Sequence, residues 1–408
     1  MLRRLTLGFA GVLTAAIAIA ACSSSDATQS LSIGPTFAAE TLYAANVTAN
    51  AIDIYTPNPK STAGPEFQIG GGATNLQAPQ YLAFDASDNL WVTNWLASTS
   101  VGSILQFKPE ATGDVLPFLG ITLGAVHPRG IADFTYTLAG ATTVTDAIGV
   151  GIVDPSQPAG FQSGVALYFT AVGGAPFETI AGPDTGLNVP SGVAFDSRDN
   201  LYVANLQSAS VEVFQVLPSP TASPTPGTTA TPKPTTAPIG ATPTPPAAGA
   251  PTPTPLDQAP EATIAGAATG IGVPVGLALD SFNNIYVADQ AATVPAKLCA
   301  AKCPAILIFP PGSSGAIAPT VLAGANTLLA APTDVKVDTH GNIYVADTAA
   351  GRGVIYMFTG GVSGNVAPAA TLEAGGALIG LGLNPNGAPV AAMGGGGLVN
   401  NPYARRRP

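Results

Sequence analysis

Short apolar runs broken by Gly, Pro, Asp and Asn recur along the chain from Leu42 onward, and helical periodicity is essentially confined to the N-terminus. Gly192–Asp196 is one such run, followed by a polar turn and a second run, Leu201–Ala204. The same pair recurs as Tyr81–Asp85 with Leu90–Thr93, Gly276–Asp280 with Ile285–Ala288, and Asp334–Asp338 with Ile343–Ala346. A third run alternates apolar residues with others, as in Val211-Glu212-Val213-Phe214 and Ile306-Leu307-Ile308-Phe309. A fourth closes on glycine, as in Thr179-Ile180-Ala181-Gly182 and Val321-Leu322-Ala323-Gly324. Short runs of this kind between turn residues predict β-strands.

These units keep a common register. Pro79, Asp85 and Asn94 share one spacing with Pro190, Asp196 and Asn205, with Pro274, Asp280 and Asp289, and with Pro332, Asp338 and Asp347. Each closing glycine precedes the next proline by eight residues, as Gly71 precedes Pro79 and Gly324 precedes Pro332. Four short strands per unit predict an all-β propeller, because one blade cannot bury both of its faces alone. The expected ring has six blades. Leu42–Asn46, Ala51–Tyr55 and Glu66–Gly70 lack a first strand, and Ile379–Asn384 supplies it, so strands from both termini close the ring and remove two open edges. Seven blades is the alternative, since Pro389–Met393 competes with Leu42–Asn46. The unit from Gly130 to Gly182 is irregular, with Phe134 where Asp should stand.

Pro-x-Gly-(Val/Leu)-Ala-(Phe/Leu)-Asp followed by Asn-(Leu/Ile)-Tyr-Val-Ala-(Asn/Asp) resembles the NHL repeat, in four good copies and about two degraded ones. The resemblance implies an NHL-like propeller. It does not fix a function, since such propellers serve as binding scaffolds, sensors and occasionally enzymes.

The N-terminus adds a location. Met1-Leu2-Arg3-Arg4 precedes an apolar stretch to Ala21, and Ile19-Ala20-Ala21-Cys22 fits the bacterial lipobox. Cys22 is the expected lipidation site, which would anchor an extracytoplasmic chain to the bacterial membrane, in the cell envelope or at the surface. Cys299 and Cys303 are the remaining cysteines, and in that compartment they are expected to form a small disulfide loop. Without Arg3 and Arg4 the formal net charge of −10 becomes −12, which disfavours nucleic acid as a partner. The expected organisation is a signal peptide over 1–21, a tether over 22–40, the propeller over 41–398 and a basic tail over 399–408. Residues 217–258, rich in Pro and Thr, interrupt the propeller. Third and fourth strands of one blade flank them, so they are expected to be an extended, mobile loop rather than a domain boundary.

Chemistry is sparse. No Gly-x-Ser-x-Gly elbow, His-Glu-x-x-His or phosphate loop occurs, and His127 and His340 are expected on opposite faces of the ring. No catalytic residue, metal ligand or cofactor is assigned. The face on which first strands begin and second strands end is the candidate binding face. Gln80, Arg129, Ser191 and Thr333 mark strand starts, and Asn94, Asn205, Asp289 and Asp347 mark strand ends. The end residues equally suit turn capping. Trp95 and Arg129 depart from the repeat, and Trp95 suits either ligand stacking or loop packing. The expected function is a monomeric, non-catalytic binding or scaffolding module for an unknown protein or carbohydrate. The alternative is a propeller-face enzyme of lactonase or lyase type.

Overall fold

A computed structural model describes residues 40–55, 64–96, 98–137, 144–171, 174–216 and 254–385. The chain divides into units 1–35 and 36–408, and all described residues belong to the second. Cys22, the basic tail and most of the Pro/Thr stretch lie outside the described residues.

Among the described residues, twenty-four strands form six four-stranded antiparallel sheets. Blade 1 holds β1 (Leu42–Asn46), β2 (Ala51–Tyr55) and β3 (Phe67–Gly70). Blade 2 holds β4 (Pro79–Phe84), β5 (Leu90–Leu96), β6 (Val101–Phe107) and β7 (Leu119–Gly124). Blade 3 holds β8 (His127–Thr137), β9 (Val144–Val153), β10 (Ser163–Phe169) and β11 (Glu178–Ala181). Blade 4 holds β12 (Pro190–Phe195), β13 (Asn200–Asn205), β14 (Ser210–Gln215) and β15 (Ala262–Ile264). Blade 5 holds β16 (Pro274–Leu279), β17 (Ile285–Ala292), β18 (Cys303–Phe309) and β19 (Thr320–Ala323). Blade 6 holds β20 (Pro332–Val337), β21 (Ile343–Ala349), β22 (Arg352–Phe358) and β23 (Ala370–Glu373). The last strand, β24 (Leu378–Leu383), pairs with β1 and completes blade 1. The protein is therefore a six-bladed β-propeller closed by strands from both ends of the described chain.

The spacing of the repeat has a physical basis. The proline opening each regular first strand pairs with the Asn or Asp ending the second, as Pro190 with Asn205 and Pro274 with Asp289. A bulge follows the proline, where innermost strands of neighbouring blades crowd together. A Cβ on Gly276 would lie 2.5 Å from the Asp334 Cα, which is why glycine recurs two residues after the proline. The Asp six residues on is a turn lock. Asp196 Oδ1 accepts from Arg198 N (2.8 Å) and Asn200 N (2.9 Å), while Oδ2 accepts from Asn200 Nδ2 (2.8 Å). Asp280 and Asp338 repeat this pattern and also accept from the hydroxyls of Tyr286 and Tyr344.

The closing glycines have a second role. Gly71, Gly182, Gly266 and Gly324 take φ between 106° and 145° and lead into one-turn 3-10 segments. A Thr three residues on donates back to each glycine carbonyl, as Thr185 Oγ1 does to Gly182 O (2.7 Å). A parallel latch then joins neighbouring blades. Gly113, Leu256, Gly315 and Gly364, each between the third and fourth strands of its blade, bridge to Ile69, Ile180, Ile264 and Leu322 of the preceding blade.

That latch refines the Pro/Thr stretch. β14 and β15 on either side of it share one sheet. The stretch does not run freely to Gln258: Leu256 bonds to the backbone of Thr179 and Ala181, and Asp257 Oδ1 accepts from Asp184 N (2.8 Å).

Cys299, in the loop after β17, and Cys303, the first residue of β18, are joined by a disulfide. Among the described residues no helix is long and apolar enough to cross a membrane.

Candidate functional site

The candidate face is built from loops entering the first strands and loops leaving the second. Its Asn and Asp side chains are turned inward. Asn205, 0% exposed, accepts from Asn188 N (2.6 Å) and donates to Gly186 O (2.8 Å). Asn94 does the same with Gln77 N (2.7 Å) and Asn75 O (3.3 Å). Asp289 accepts from the amides of Gly272, Val273 and Ala291 at 2.8–3.0 Å. Asp347 accepts from Ala330 N (2.8 Å) and Ala331 N (3.0 Å). Burial raises the carboxyl pKa of both Asp289 and Asp347, and the amide bonds only partly oppose it. These four residues hold the loop that feeds each first strand.

The strand starts are also engaged, with one exception. Gln80 Nε2 donates to Ala78 O (2.9 Å). The Ser191 hydroxyl lies between Ala204 O (3.2 Å) and Pro274 O (3.0 Å), linking blades 4 and 5. Thr333 lies between Ala346 O and Leu378 O, both at 3.3 Å, linking blades 6 and 1. At Arg129 only the backbone takes part, accepting from Thr93 Oγ1 (2.9 Å). Its side-chain Nε is buried without a hydrogen-bond partner.

Trp95 is brought to the same place. Its ring stacks on His127 with centroids 4.3 Å apart and planes 14° from parallel. His127 Nε2 is likewise buried without a partner. Burial, with a second contribution from the Arg129 charge, pushes the His127 pKa down to about 4, so the ring is neutral at pH 7. The structure thus unites Trp95 and Arg129 through His127. It leaves Asn94, Asn205, Asp289 and Asp347 in separate blades, each on its own loop.

Deeper on the axis, Tyr81 reaches across the ring and donates to Val275 O of the opposite blade (3.3 Å). Burial raises its pKa, the Asp334 charge adds to this, and Arg129 opposes it. Asp334, 1% exposed, accepts from Leu381 N (2.9 Å) and pairs with Lys336 Nζ (3.3 Å). Toward the other face a cavity of about 230 Å³ opens between the first strands, where Asp133 and Lys336 are the lining residues with charged side chains.

His340 lies on that other face, in the turn after β20. Its Nδ1 is 3.3 Å from Glu40 Oε2. Glu40, Asp338 and His340 are the one group of potential metal ligands found together among the described residues. Both Asp338 oxygens already accept turn hydrogen bonds, and Glu40 also accepts from Thr339.

His127, Tyr81 and Asp334 were not singled out by sequence reasoning as site residues. Each breaks the repeat, however: glycine stands at the Tyr81 and Asp334 position in the other four blades, and a small or aliphatic residue at the His127 position in the other five.

No family model and no curated protein matches this chain. Solved propellers do resemble it. A protein of unknown function from Bacteroides caccae is 9% identical over 84% of this chain and 98% of its own, with a TM-score of 0.48. A Lactobacillus plantarum protein is 12% identical over 86% and 100%, with a TM-score of 0.46. A streptogramin B lyase is 11% identical over 88% and 94%, with a TM-score of 0.39. None of these likenesses says what this chain binds or converts.

Proposed function

We propose that this chain is a lipid-anchored, extracytoplasmic propeller of NHL type that acts as a non-catalytic binding or scaffolding module. The observation that supports this most is the inward commitment of the strand-end polar groups. Asp289 and Asp347 direct their carboxylates at backbone amides, and Asn94 and Asn205 are locked likewise. Those groups hold loops rather than converge on an axial metal or a reacting atom. The departures from the repeat, Trp95, His127 and Arg129, form the distinctive chemistry of the face and are its proposed contact point for a protein or carbohydrate.

Two measurements test the reading. Capture from native envelopes should recover a partner with the wild-type chain and lose it when Trp95 and Arg129 are both replaced. A stoichiometric bound metal together with lactone turnover that Asp289→Asn abolishes would favour the enzyme and sink the module. The anchor is tested separately: Cys22→Ala should abolish acyl labelling, and label on that variant would refute lipidation there.

A further inference from the structure

We propose that Arg129, with His127 and Trp95 beside it, forms an oxyanion site that takes the carboxylate, sulfate or phosphate group of a small ligand. This deepens the binding reading above and rests on it for the choice of face. Three observations carry it. First, Arg129 is half-buried and makes no ion pair among the described residues, whereas Lys336, the other half-buried Lys or Arg among them, has a carboxylate partner. Second, the polar residues at the matching position of other blades, Gln80, Ser191 and Thr333, direct their side chains to backbone carbonyls, whereas Arg129 does not. Third, two buried nitrogens without partners, His127 Nε2 and Arg129 Nε, occur two residues apart on β8. Unpaired buried polar atoms are costly and are rarely retained without a ligand or ordered water.

The charge and chemistry of these side chains set the ligand class. Guanidinium suits planar or tetrahedral oxyanions, and a charge-assisted bond here would be strengthened by the surrounding burial. The Trp95 ring fixes the imidazole plane. In the tautomer protonated at Nε2, a neutral His127 adds a second donor. Arg129 is the charged neighbour that acts on His127. An anion held between them would offset that charge and favour the protonated ring, so binding and His127 protonation are coupled.

The test uses the full chain and its two histidines, one at the site and one on the opposite face. His127 and His340 ring protons are followed by NMR while sodium sulfate or sodium acetate replaces sodium chloride at constant ionic strength. The expected result is a saturable shift of the His127 signal, a rise in its titration midpoint and a stationary His340. A response to sulfate alone indicates a tetrahedral ester, and a response to acetate alone a carboxylate. Arg129→Gln should weaken binding roughly tenfold or more. Arg129→Lys, which keeps the charge but loses the fork, should weaken it less. A His127 signal unmoved by both anions in folded wild-type protein overturns the site, as does anion binding unchanged in Arg129→Lys and Arg129→Gln. Such a failure leaves the module itself standing, because metal content and envelope capture decide that reading independently.

Discussion

Blades 2 and 3 are neighbours, yet their first strands use their residues in opposite ways. In blade 2, Asp85 accepts from Ser87 N, Asn89 N, Asn89 Nδ2, Trp91 Nε1 and Gln106 Nε2, fixing the turn and a buried tryptophan at once. In blade 3, Phe134 occupies that position. It stacks on Phe195 of blade 4 at 4.2 Å and meets Tyr136 edge-on, and Tyr136 in turn packs on Phe169 and Phe177. The strands lengthen accordingly, to 11 and 10 residues against 6 and 7 in blade 2. A blade therefore needs its turn end secured, but polar locking and aromatic packing both secure it. The same blade that omits the polar lock carries His127 and Arg129 at its other end. Three departures from the repeat, His127, Arg129 and Phe134, thus fall on one strand of this blade.

The comparison breaks most sharply if the two solutions are exchanged. Asp85→Ala would leave the buried Trp91 indole N–H and two partly exposed turn amides without an acceptor, and should cost about 3–4 kcal/mol. Phe134→Asp would install the repeat residue in blade 3 but bury a carboxylate among aromatic rings, and should cost a similar amount, about 3–4 kcal/mol. Chemical denaturation of both variants is the measurement. A neutral or stabilising Phe134→Asp would mean that blade 3 keeps a latent polar turn and that the contrast is false.

The second exchange concerns pH. His127 has its folded pKa depressed to about 4, against about 6.5 for the free ring. The unfolded chain therefore binds a proton that the folded chain refuses. Stability held above pH 6.5 is lost as pH falls toward 4. The full linkage would be about 3 kcal/mol, and nearer about 2 kcal/mol because solvent reaches part of the ring. His127→Phe keeps an aromatic ring on Trp95 without titrating. Thermal or denaturant stability of wild type and variant should diverge between pH 6.5 and 4, with the wild type falling more. Parallel profiles would show that His127 is not the buried neutral ring described.

Much of the fold was legible in the chain because propeller blades repeat the same local solution. The Pro–Asp–Asn spacing reports a first strand, a locked turn and a paired second strand; in blade 1, which lacks that spacing, β1 and β2 match the expected runs and β24 is shifted by one residue at each end from Ile379–Asn384. The latches were not legible. Gly113, Leu256, Gly315 and Gly364 act through backbone groups, and their side chains share no pattern. The axial crossing by Tyr81 depends on which blades lie opposite, information that no single repeat contains. The candidate face was legible only as a collection of strand ends. The Trp95–His127 stack joins adjacent blades through residues flanking the repeat, and its one visible sign was that both break the pattern.

Blades 4 and 5 offer a finer contrast at the strand end. Asn205 both accepts and donates, whereas Asp289 only accepts. Asp289→Asn converts blade 5 toward the blade 4 arrangement and should change stability at neutral pH by about 1 kcal/mol, since lost amide bonds and a relieved buried charge oppose each other. Burial raises the folded pKa of Asp289, so the wild type gains stability as pH falls through that value, and the Asn variant does not. Wild-type stability should therefore rise relative to that of the Asn variant on acidification. A constant gap across pH 7 to 4 would mean that Asp289 does not carry the burial penalty assigned to it.

The smallest effect belongs to the insert that distinguishes blade 4 from the other blades. Its ends are pinned independently: Gln215 closes β14, paired with Asn200, and Leu256 is bonded to the outer strand of blade 3. Residues 217–253 between them alter closure entropy and little else if they make no contacts of their own. That entropy varies with the logarithm of loop length, so halving the segment while keeping Leu256 and Asp257 should stabilise the chain by only about 0.6 kcal/mol. A deletion that also removes Leu256 and Asp257 takes away the latch and the acceptor for Asp184 N, and should cost about 1–3 kcal/mol instead. Denaturation of the two deletions side by side separates the loop from its anchor. If the halved insert with its latch intact lost more than about 2 kcal/mol, well beyond the closure term, residues 217–253 would be packing on the propeller, and blade 4 would owe part of its stability to a segment absent from every other blade.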